Sequence, residues 1–188
     1  MGTCRELSTD ASLPVAMSDL TLRLARLRVP LGFAGGAVVL WLARPTWASL
    51  AAGATLAATG EAIRTWAAGH LEKGREVTKS GPYRFSGHPL YFGSTIIGTG
   101  IVVACYSLPV AVITVAYLLV TLGAAIRSEE AGLRAKFGQE YTDYRAGRAS
   151  DAERRFSATR AIRNREHRAV LGLVVALILL VLKTWLML

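Results

Sequence analysis

Charged residues and cysteines are both scarce in this chain of 188 residues. Charged side chains make up 19% of it, against about 25% in an average soluble domain, and apolar residues make up 52%. Two cysteines cannot build a disulfide scaffold, and without a CxxC or a Cys/His cluster we predict no metal site. A chain this apolar is not disordered over most of its length. The composition therefore indicates a folded protein tilted toward lipid.

The longest stretch without Asp, Glu, Lys or Arg runs from Phe85 to Ile126. A membrane-spanning helix takes about 20 apolar residues, so this stretch has room for two. Pro109 suits the first turn of a helix, which predicts spans at about 89–106 and 109–127 joined by a tight turn. Further spans are predicted at about 27–43, 46–68 and 169–188. The fold class is therefore predicted as an all-α, polytopic integral membrane bundle of about five transmembrane helices.

The distribution of basic residues orients this bundle. The chain has 22 Lys and Arg against 13 Asp and Glu, a net charge of +9. With the amino terminus inside, all the Lys and Arg except Arg44 and Lys183 fall on the cytoplasmic side. We therefore attribute the basic excess to topology and to attraction by anionic lipid, and expect no nucleic-acid partner.

Three parts are predicted along the chain. Residues 1–20 form a disordered leader, because they are small and polar and lack the apolar core of a signal peptide. Residues 21–145 form the core with four spans, and residues 146–188 add a basic interfacial segment and the fifth span. The compact chain without targeting signals favours a prokaryotic inner membrane, with cytoplasmic loops forming the functional site.

The loop before the third span carries the first candidate site. Pro89 fits the first position of a helix, and the free N–H groups of such a helix start, next to His88, suit a carboxylate. Tyr83 and Tyr91 are able to stack on a flat ring. The alternative is an interfacial aromatic belt with a purely structural turn.

The inner end of the fourth span carries the second candidate. Glu129 and Glu130 are adjacent carboxylates close to lipid, where such groups usually mark function. Arg127 and Glu130 are three residues apart and share a helix face. Gly138 is a plausible end for this helix. The alternative is a helix that simply emerges into water.

Two further elements have weaker signals. Glu61 and Arg64 lie three residues apart near the inner end of the second span, where they either pair with each other or reach the cytoplasmic mouth. Gly98 and Gly100 lie within the third span, where a GxG usually serves close helix packing.

These motifs, in this order and at this spacing, resemble the isoprenylcysteine carboxyl methyltransferase family and the related phospholipid N-methyltransferases. The resemblance covers about residues 46–145 and rests on three pieces of sequence: Gly81-Pro82-Tyr83-Arg84, then His88-Pro89-x-Tyr91-x-Gly93, then Glu129-Glu130-x-x-Leu133-x-x-x-Phe137-Gly138-x-x-Tyr141-x-x-Tyr144.

The resemblance implies an integral-membrane methyltransferase. It would take S-adenosylmethionine from the cytoplasm and a lipophilic substrate from the bilayer. It places four residues in the cofactor pocket: His88, Tyr91, Glu129 and Glu130. Gly98 and Gly100 match a GxG used near the cofactor, and Arg127 matches a substrate-side arginine of the carboxyl methyltransferases. One departure is Gly87, which stands where the family commonly has an arginine.

The most favoured function is methyl transfer to a carboxylate, which is ionised at neutral pH and needs only positioning, here by the planar guanidinium of Arg127. Methylation of a lipid amine is the first alternative, and it requires a neutral nitrogen. A membrane reductase with a nicotinamide cofactor and a non-catalytic lipid-binding protein are the others.

Overall fold

The computed structural model describes residues 34–148 and 153–187. The predicted leader and the start of the first predicted span lie outside the described residues. The chain divides into two compact units, Met1–Val38 and Val39–Leu188. Only residues 34–38 of the first unit are described, as part of helix α1, which covers 34–42. The candidate site lies in the second unit.

The described residues after α1 form helices connected by short loops. They are α2 (Trp47–His70), a 3-10 turn (Gly81–Arg84), α3 (Pro89–Cys105), α4 (Leu108–Arg145), α5 (Ala158–Arg163) and α6 (Glu166–Leu186). No strand occurs in the described ranges, and the all-α prediction is confirmed. Among the described helices, α4 and α6 are long and apolar enough to cross a membrane, while α3 is apolar but has 17 residues. The count of five spans stays a prediction.

Helix starts lie where the prolines and polar caps predict them. Pro89 occupies the first turn of α3, with His88 at the N-cap, and α4 begins directly after Ser107 with Pro109 in its first turn. Between α3 and α4 the chain reverses through Tyr106, whose φ of 45° is left-handed. The predicted tight turn is confirmed. At α2, Thr46 caps the first turn by accepting a hydrogen bond from the backbone N–H of Ser49.

Small residues form the contact between α2 and α3. A Cβ on Gly60 would lie 2.7 Å from the carbonyl oxygen of Gly93, and one on Gly100 would lie 2.6 Å from the backbone nitrogen of Ala57. Both α2 and α3 therefore approach at backbone distance, which only residues without large side chains permit. Ser49 extends the contact, because its Oγ donates to the carbonyl oxygen of Ala104 over 3.2 Å.

The last turns of the carboxyl-terminal helix contact the other helices through Leu180 and Lys183. Leu180 of α6 joins the buried apolar cluster of Ala43, Leu50, Ala104, Cys105 and Val110. Lys183 Nζ donates to the carbonyl oxygens of Leu40 (2.6 Å) and Trp41 (2.8 Å), the unpaired acceptors at the end of α1. Lys183 thus caps a neighbouring helix end in addition to lying near the predicted interface.

Much of α4 and α6 presents apolar side chains outward. Val110 and Tyr141 are the only buried residues of α4. Exposed apolar residues on the two helices include Val112, Val115, Leu119, Leu171, Val175 and Leu182. Apolar surface of this extent is typical of a lipid or protein contact face. The helices are therefore suited to a bilayer by exposure as well as by length.

The described part of the basic segment before α6, residues 153–165, docks on the end of α2. The sequence alone predicted an interfacial or solvated helix for this segment. Arg160 and Arg163 both bind the carboxylate of Glu72, at 2.9 and 2.6 Å. Asn164 donates to the carbonyl oxygens of Ala68 and Leu71, at 2.8 and 2.9 Å. The end of a helix carries free carbonyls and a partial negative charge, so it attracts these cations and donors. The segment positions the start of α6.

Candidate functional site

The first functional pair joins the start of α3 to the inner part of α4. His88 Nε2 donates to Glu130 Oε1 over 3.1 Å, since an ionised carboxylate only accepts. His88 Nδ1 lies 3.9 Å from Glu129 Oε2, which is beyond hydrogen-bond distance. The two sequence motifs, more than 40 residues apart, thus meet in space. The structure brings His88, Glu129 and Glu130 together as their assignment to one pocket requires.

Cations surround the carboxylate of Glu130. Arg145 Nη2 lies 3.2 Å from Glu130 Oε1, and Arg134 Nη2 lies 3.6 Å from Oε2. The hydrogen bond from His88, together with the charges of Arg145 and Arg134, holds the pKa of Glu130 below its ordinary value despite partial burial. Glu130 is therefore an ionised acceptor at neutral pH.

Arg145 also occupies the space beside Gly87. A Cβ on Gly87 would lie 2.6 Å from Arg145 Nη1. The missing side chain at this position leaves room for the guanidinium, which reaches both Gly87 and Glu130 from the end of α4. The family commonly has an arginine at the position of Gly87. Arg145, which lies 58 positions later in the chain, thus supplies a cation at the same place in the structure.

Gly138 explains how Arg145 reaches this place. Its φ of 46° and ψ of −117° interrupt α4, and only glycine adopts such a backbone conformation without strain. The helix end predicted there from the sequence is a kink, after which the last turns continue to Arg145. Tyr144 in this last part donates to the carbonyl oxygen of Tyr83 over 2.7 Å, which ties the kinked end to the 3-10 turn.

A small polar cavity lies where these elements meet. Its volume is 270 Å³, and its lining includes Tyr83, Ser86, Gly87, Tyr144 and Arg145. Burial raises the pKa of both Tyr83 and Tyr144, so their rings stay neutral across the physiological range. Pockets for small molecules usually have volumes of about 300 Å³ or more. This cavity is slightly smaller, so it has room for one part of a cofactor-sized ligand.

An orphaned hydroxyl lies on the same kinked segment. Tyr141 is 2% exposed, and its hydroxyl has no hydrogen-bond partner in the described ranges. Its ring lies 6.3 Å from that of Tyr144. A buried hydroxyl without a partner is costly, so a ligand or water that binds it is favoured. The group fits a polar ligand entering beside Glu130.

The other predicted cofactor residues differ in how they relate to this cluster. The Tyr91 ring lies 5.7 Å from the His88 ring and is part of it. Gly98 faces Leu118 of α4, and Gly100 faces Ala57 of α2. Both glycines face neighbouring helices, which favours the packing alternative, and their place near the cofactor stays a prediction. They lie roughly 15–18 Å along α3 from His88, at about 1.5 Å per residue.

Arg127 does not join the cluster through any contact. Its side chain is exposed, and it has no hydrogen bond or ion pair with any residue of the described part. Glu130, with which Arg127 was expected to share a helix face, instead contacts His88, Arg134 and Arg145. Arg127 is therefore available for a ligand carboxylate at the end of the apolar part of α4.

A second charged cluster lies deeper in the bundle. Arg64 Nε donates to Glu166 Oε1 over 2.7 Å and lies 3.8 Å from Glu61 Oε2. Arg64 Nη1 also donates to Ser94 Oγ. The pair of Glu61 and Arg64 predicted from the sequence exists, but the stronger partner of Arg64 is Glu166 on α6.

Sequence reasoning missed Arg145, Arg134 and Glu166. Arg134 could have been found from its spacing, because it lies four residues after Glu130 on α4 and shares a helix face with it. For Arg145 the signal was the conjunction of Gly87, which has no side chain, with the helix break at Gly138. Nothing in the sequence pointed to Glu166, because its contact with Arg64 spans 102 residues.

The described residues form an all-α fold with two helices long and apolar enough to cross a membrane and a polar cluster at one end. The chain belongs to the phospholipid methyltransferase family, whose model matches residues 46–140. The match covers the first two pieces of sequence and the third as far as Gly138, and the family resemblance drawn from them is confirmed. Membership indicates a membrane methyltransferase acting on lipid-related substrates and implies the use of S-adenosylmethionine. Neither the curated proteins nor the solved structures contained a match.

Proposed function

We propose that this protein is an S-adenosylmethionine-dependent methyltransferase whose cofactor site is the cluster of His88, Glu129, Glu130 and Arg145. The observation that carries the proposal is the contact of His88 and Arg145 with one oxygen of Glu130 beside the 270 Å³ cavity. The exposed carboxylate of Glu129 is suited to ribose hydroxyls or an α-ammonium group, and Arg145 to an α-carboxylate. When bound, the cofactor supplies a methyl group on a sulfonium.

The residues of this chain then bind and orient the ligand and exclude water from it. The first turn of α3 and Arg145 offer positive charge, and the exposed carboxylate of Glu129 offers negative charge beside them. A zwitterionic ligand is thereby fixed in one direction, and fixing both reactants in line removes several kcal/mol from a displacement barrier. Tyr83 and Tyr144 provide ring surface for a planar base.

For the acceptor we infer a lipid amine. Two observations support it: the match to a phospholipid methyltransferase family, and the buried carboxylate of Glu61 among apolar walls. The nitrogen must lose a proton to act as a nucleophile, and His88 is the group of this cluster suited to take it. The electron pair of the broken C–S bond returns to sulfur.

A carboxylate acceptor is the second candidate, and the guanidinium of Arg127, which is exposed and makes no ion pair within the described residues, favours it. For an acid substrate, Arg127→Lys should lower turnover at least tenfold, because an ammonium cannot reproduce bidentate binding. Cofactor affinity should change little. For an amine substrate the same substitution should leave turnover nearly unchanged. Single-turnover rates for this variant, measured beside thermal melting, separate the two chemistries.

Calorimetric titration tests the proposal itself. We expect S-adenosylmethionine and S-adenosylhomocysteine to bind and NADPH not to bind. Arg145→Ala and Glu130→Gln should weaken binding at least tenfold, the scale of hydrogen bonds to charged groups. Glu140→Gln is the matched control, because Glu140 is an exposed carboxylate on the same helix, paired with Lys79. Binding of NADPH alone would identify a reductase, and binding of none of the three a non-catalytic protein.

We further propose the five-span topology, with the amino terminus and the cofactor site in the cytoplasm. The basic loops and the two spanning-length helices support it. Cysteine labelling at Lys79 and Ser107, in a protein lacking its two natural cysteines, tests the arrangement. The two positions should react from opposite sides of the membrane, and labelling from one side contradicts the topology.

A further inference from the structure

The charged cluster of Glu61, Arg64 and Glu166 lies inside the bundle, apart from the proposed cofactor site. Glu61 is 7% exposed and Glu166 is 6% exposed. Arg64 donates its Nε to Glu166 at 2.7 Å, while Glu61 Oε2 lies 3.8 Å from the same nitrogen, beyond hydrogen-bond distance. Ser94, the further partner of Arg64, lies about 9 Å along α3 from His88 at about 1.5 Å per residue.

Glu61 is the unsatisfied member of the cluster. Both of its carboxylate oxygens are buried, and neither has a hydrogen-bond partner in residues 34–148 or 153–187. Burying a carboxylate without hydrogen bonds is expensive, and buried charges in proteins are normally paired. One guanidinium faces two carboxylates here, so the ionised cluster has room for one further positive charge.

Two cavities meet at Glu61. One, of 270 Å³, lies between α2, α3 and α6, with Ile97, Ile101 and Leu173 among its walls. The other, of 550 Å³, lies between α2 and α6, with Trp66, Val174 and Leu177 among its walls. Glu61 and Leu173 line both. An apolar chamber with a single unsatisfied carboxylate matches a ligand that has one cationic end and a hydrocarbon chain.

We propose that the cluster of Glu61, Arg64 and Glu166 binds the headgroup of a lipophilic cation, an ammonium group attached to a hydrocarbon chain. The ammonium donates to Glu61, and the chain lies against the apolar walls. The assignment of this ligand as the methyl acceptor rests on the proposed function, whereas its binding does not. The site lies deeper in the bundle than the cofactor cluster and shares α3 with it.

A proton shared between the carboxyl groups of Glu61 and Glu166 is the competing explanation. The two carboxyl groups approach the same nitrogen, Arg64 Nε, at 3.8 Å from Glu61 and 2.7 Å from Glu166, so they are neighbours. In that case Glu61 is satisfied without a ligand, and replacing it by glutamine leaves ligand binding unchanged. The two explanations therefore differ in one measurable result.

The test uses Trp66 as a reporter, since it lines the larger cavity. Trp41, Trp47 and Trp185 are replaced by phenylalanine, which leaves Trp66 as the only tryptophan. The protein is reconstituted in nanodiscs of phosphatidylcholine and titrated with stearylamine, an amine lipid, whose chain is dibrominated. Dibrominated stearyl alcohol, which has the same chain and no charge, gives the quenching caused by general lipid contact. We expect saturable excess quenching by the amine lipid.

Glu61→Gln should raise the amine-lipid concentration for half-maximal quenching at least tenfold, while Glu140→Gln should leave it unchanged. Equal titrations of parent and Glu61→Gln would overturn the proposal. If Glu61→Gln does not reconstitute, Leu173→Phe decides, because it narrows both cavities and keeps every charge. Its excess quenching should fall, and an unchanged value with unchanged melting would also overturn the proposal.

Titration with S-adenosylhomocysteine on the same samples separates this inference from the proposed function. Glu61→Gln should bind S-adenosylhomocysteine like the parent. A parent that binds the amine lipid but neither S-adenosylmethionine nor S-adenosylhomocysteine contradicts the proposed function and leaves the headgroup site standing. A parent that binds the cofactor but shows no excess quenching by the amine lipid contradicts the headgroup site alone.

Discussion

The two charged clusters of this protein differ in how their carboxylates are satisfied. At the polar end, Glu130 contacts His88, Arg134 and Arg145, and its side chain is 20% exposed. In the interior, Glu61 has a side chain that is 9% exposed and no hydrogen bond within the described ranges. Water and two exposed arginines compensate the charge of Glu130, whereas the cation next to Glu61 among the described residues is Arg64.

This difference indicates which substitutions should change ligand binding and which should change the free energy of unfolding. The polar end is built from long side chains on a loop and a kinked helix end, so its contacts rearrange at small cost. The interior is built around a backbone-close contact of α2 and α3, where the glycines lack room for a side chain and the buried carboxylates lack water. Substitutions at the polar end should change ligand affinity, and substitutions in the interior should first change the free energy of unfolding.

The largest effect is expected for Arg64→Ala. It leaves Glu61 and Glu166 buried without a countercharge, which should cost about 3–5 kcal/mol of unfolding free energy. Arg134→Ala is the control, because the side chain of Arg134 is 66% exposed and its pair with Glu130 should contribute less than about 1 kcal/mol. Denaturation in detergent measures both. Similar losses for the two variants contradict the contrast between the clusters.

Gly100→Ala should destabilise by about 1–3 kcal/mol, because the added methyl group meets the backbone of Ala57 and cannot be accommodated by a rotamer change. Gly123→Ala is the matched control in α4, where a Cβ meets nothing within 4 Å. That variant should be neutral or stabilising by up to about 1 kcal/mol. If Gly100→Ala loses cofactor affinity and keeps its melting temperature, Gly100 belongs to the cofactor site and the packing assignment is wrong.

His88→Ala and Glu129→Ala should each weaken S-adenosylmethionine binding by about 1–3 kcal/mol, and Glu129→Ala should leave the melting temperature nearly unchanged. The reason is that both side chains are partly exposed and face the site. Titration calorimetry gives the affinities, and thermal melting gives the stabilities. Variants that melt normally and bind the cofactor like the parent would remove these residues from the site.

The smallest effect is expected in how the melting temperature depends on acidic pH. The pKa of Glu130 is lowered in the folded protein, chiefly by the hydrogen bond from His88 and also by Arg145. A carboxylate with a lowered folded pKa stabilises the fold above its unfolded pKa of about 4.3 and loses that contribution as the pH falls through the folded value. The melting difference between the parent and Glu130→Gln should therefore be full at pH 6 and shrink below about pH 4.3. A difference that grows with acid contradicts the assignment.

Local sequence determined most of the secondary structure and the identity of the motif residues. Pro89 and Pro109 define two helix starts, and the uncharged run from Phe85 to Ile126 gives rise to α3, the turn at Tyr106 and the apolar half of α4. Gly138 marks the break in α4, since no other residue adopts its backbone conformation easily. The motif pair of His88 and Glu130 was predictable because both belong to recognisable segments, and they do meet.

Only the tertiary structure decided which charges meet across the bundle. The position of Arg145 beside Gly87 depends on the direction that the chain takes after the kink at Gly138. The pairing of Arg64 with Glu166, and the resulting lack of a hydrogen bond to Glu61, depends on how α6 packs on α2. The physical reason is that backbone propensity and apolar periodicity act over a few residues, whereas a buried ion pair is selected by the packing of helices that are distant in sequence.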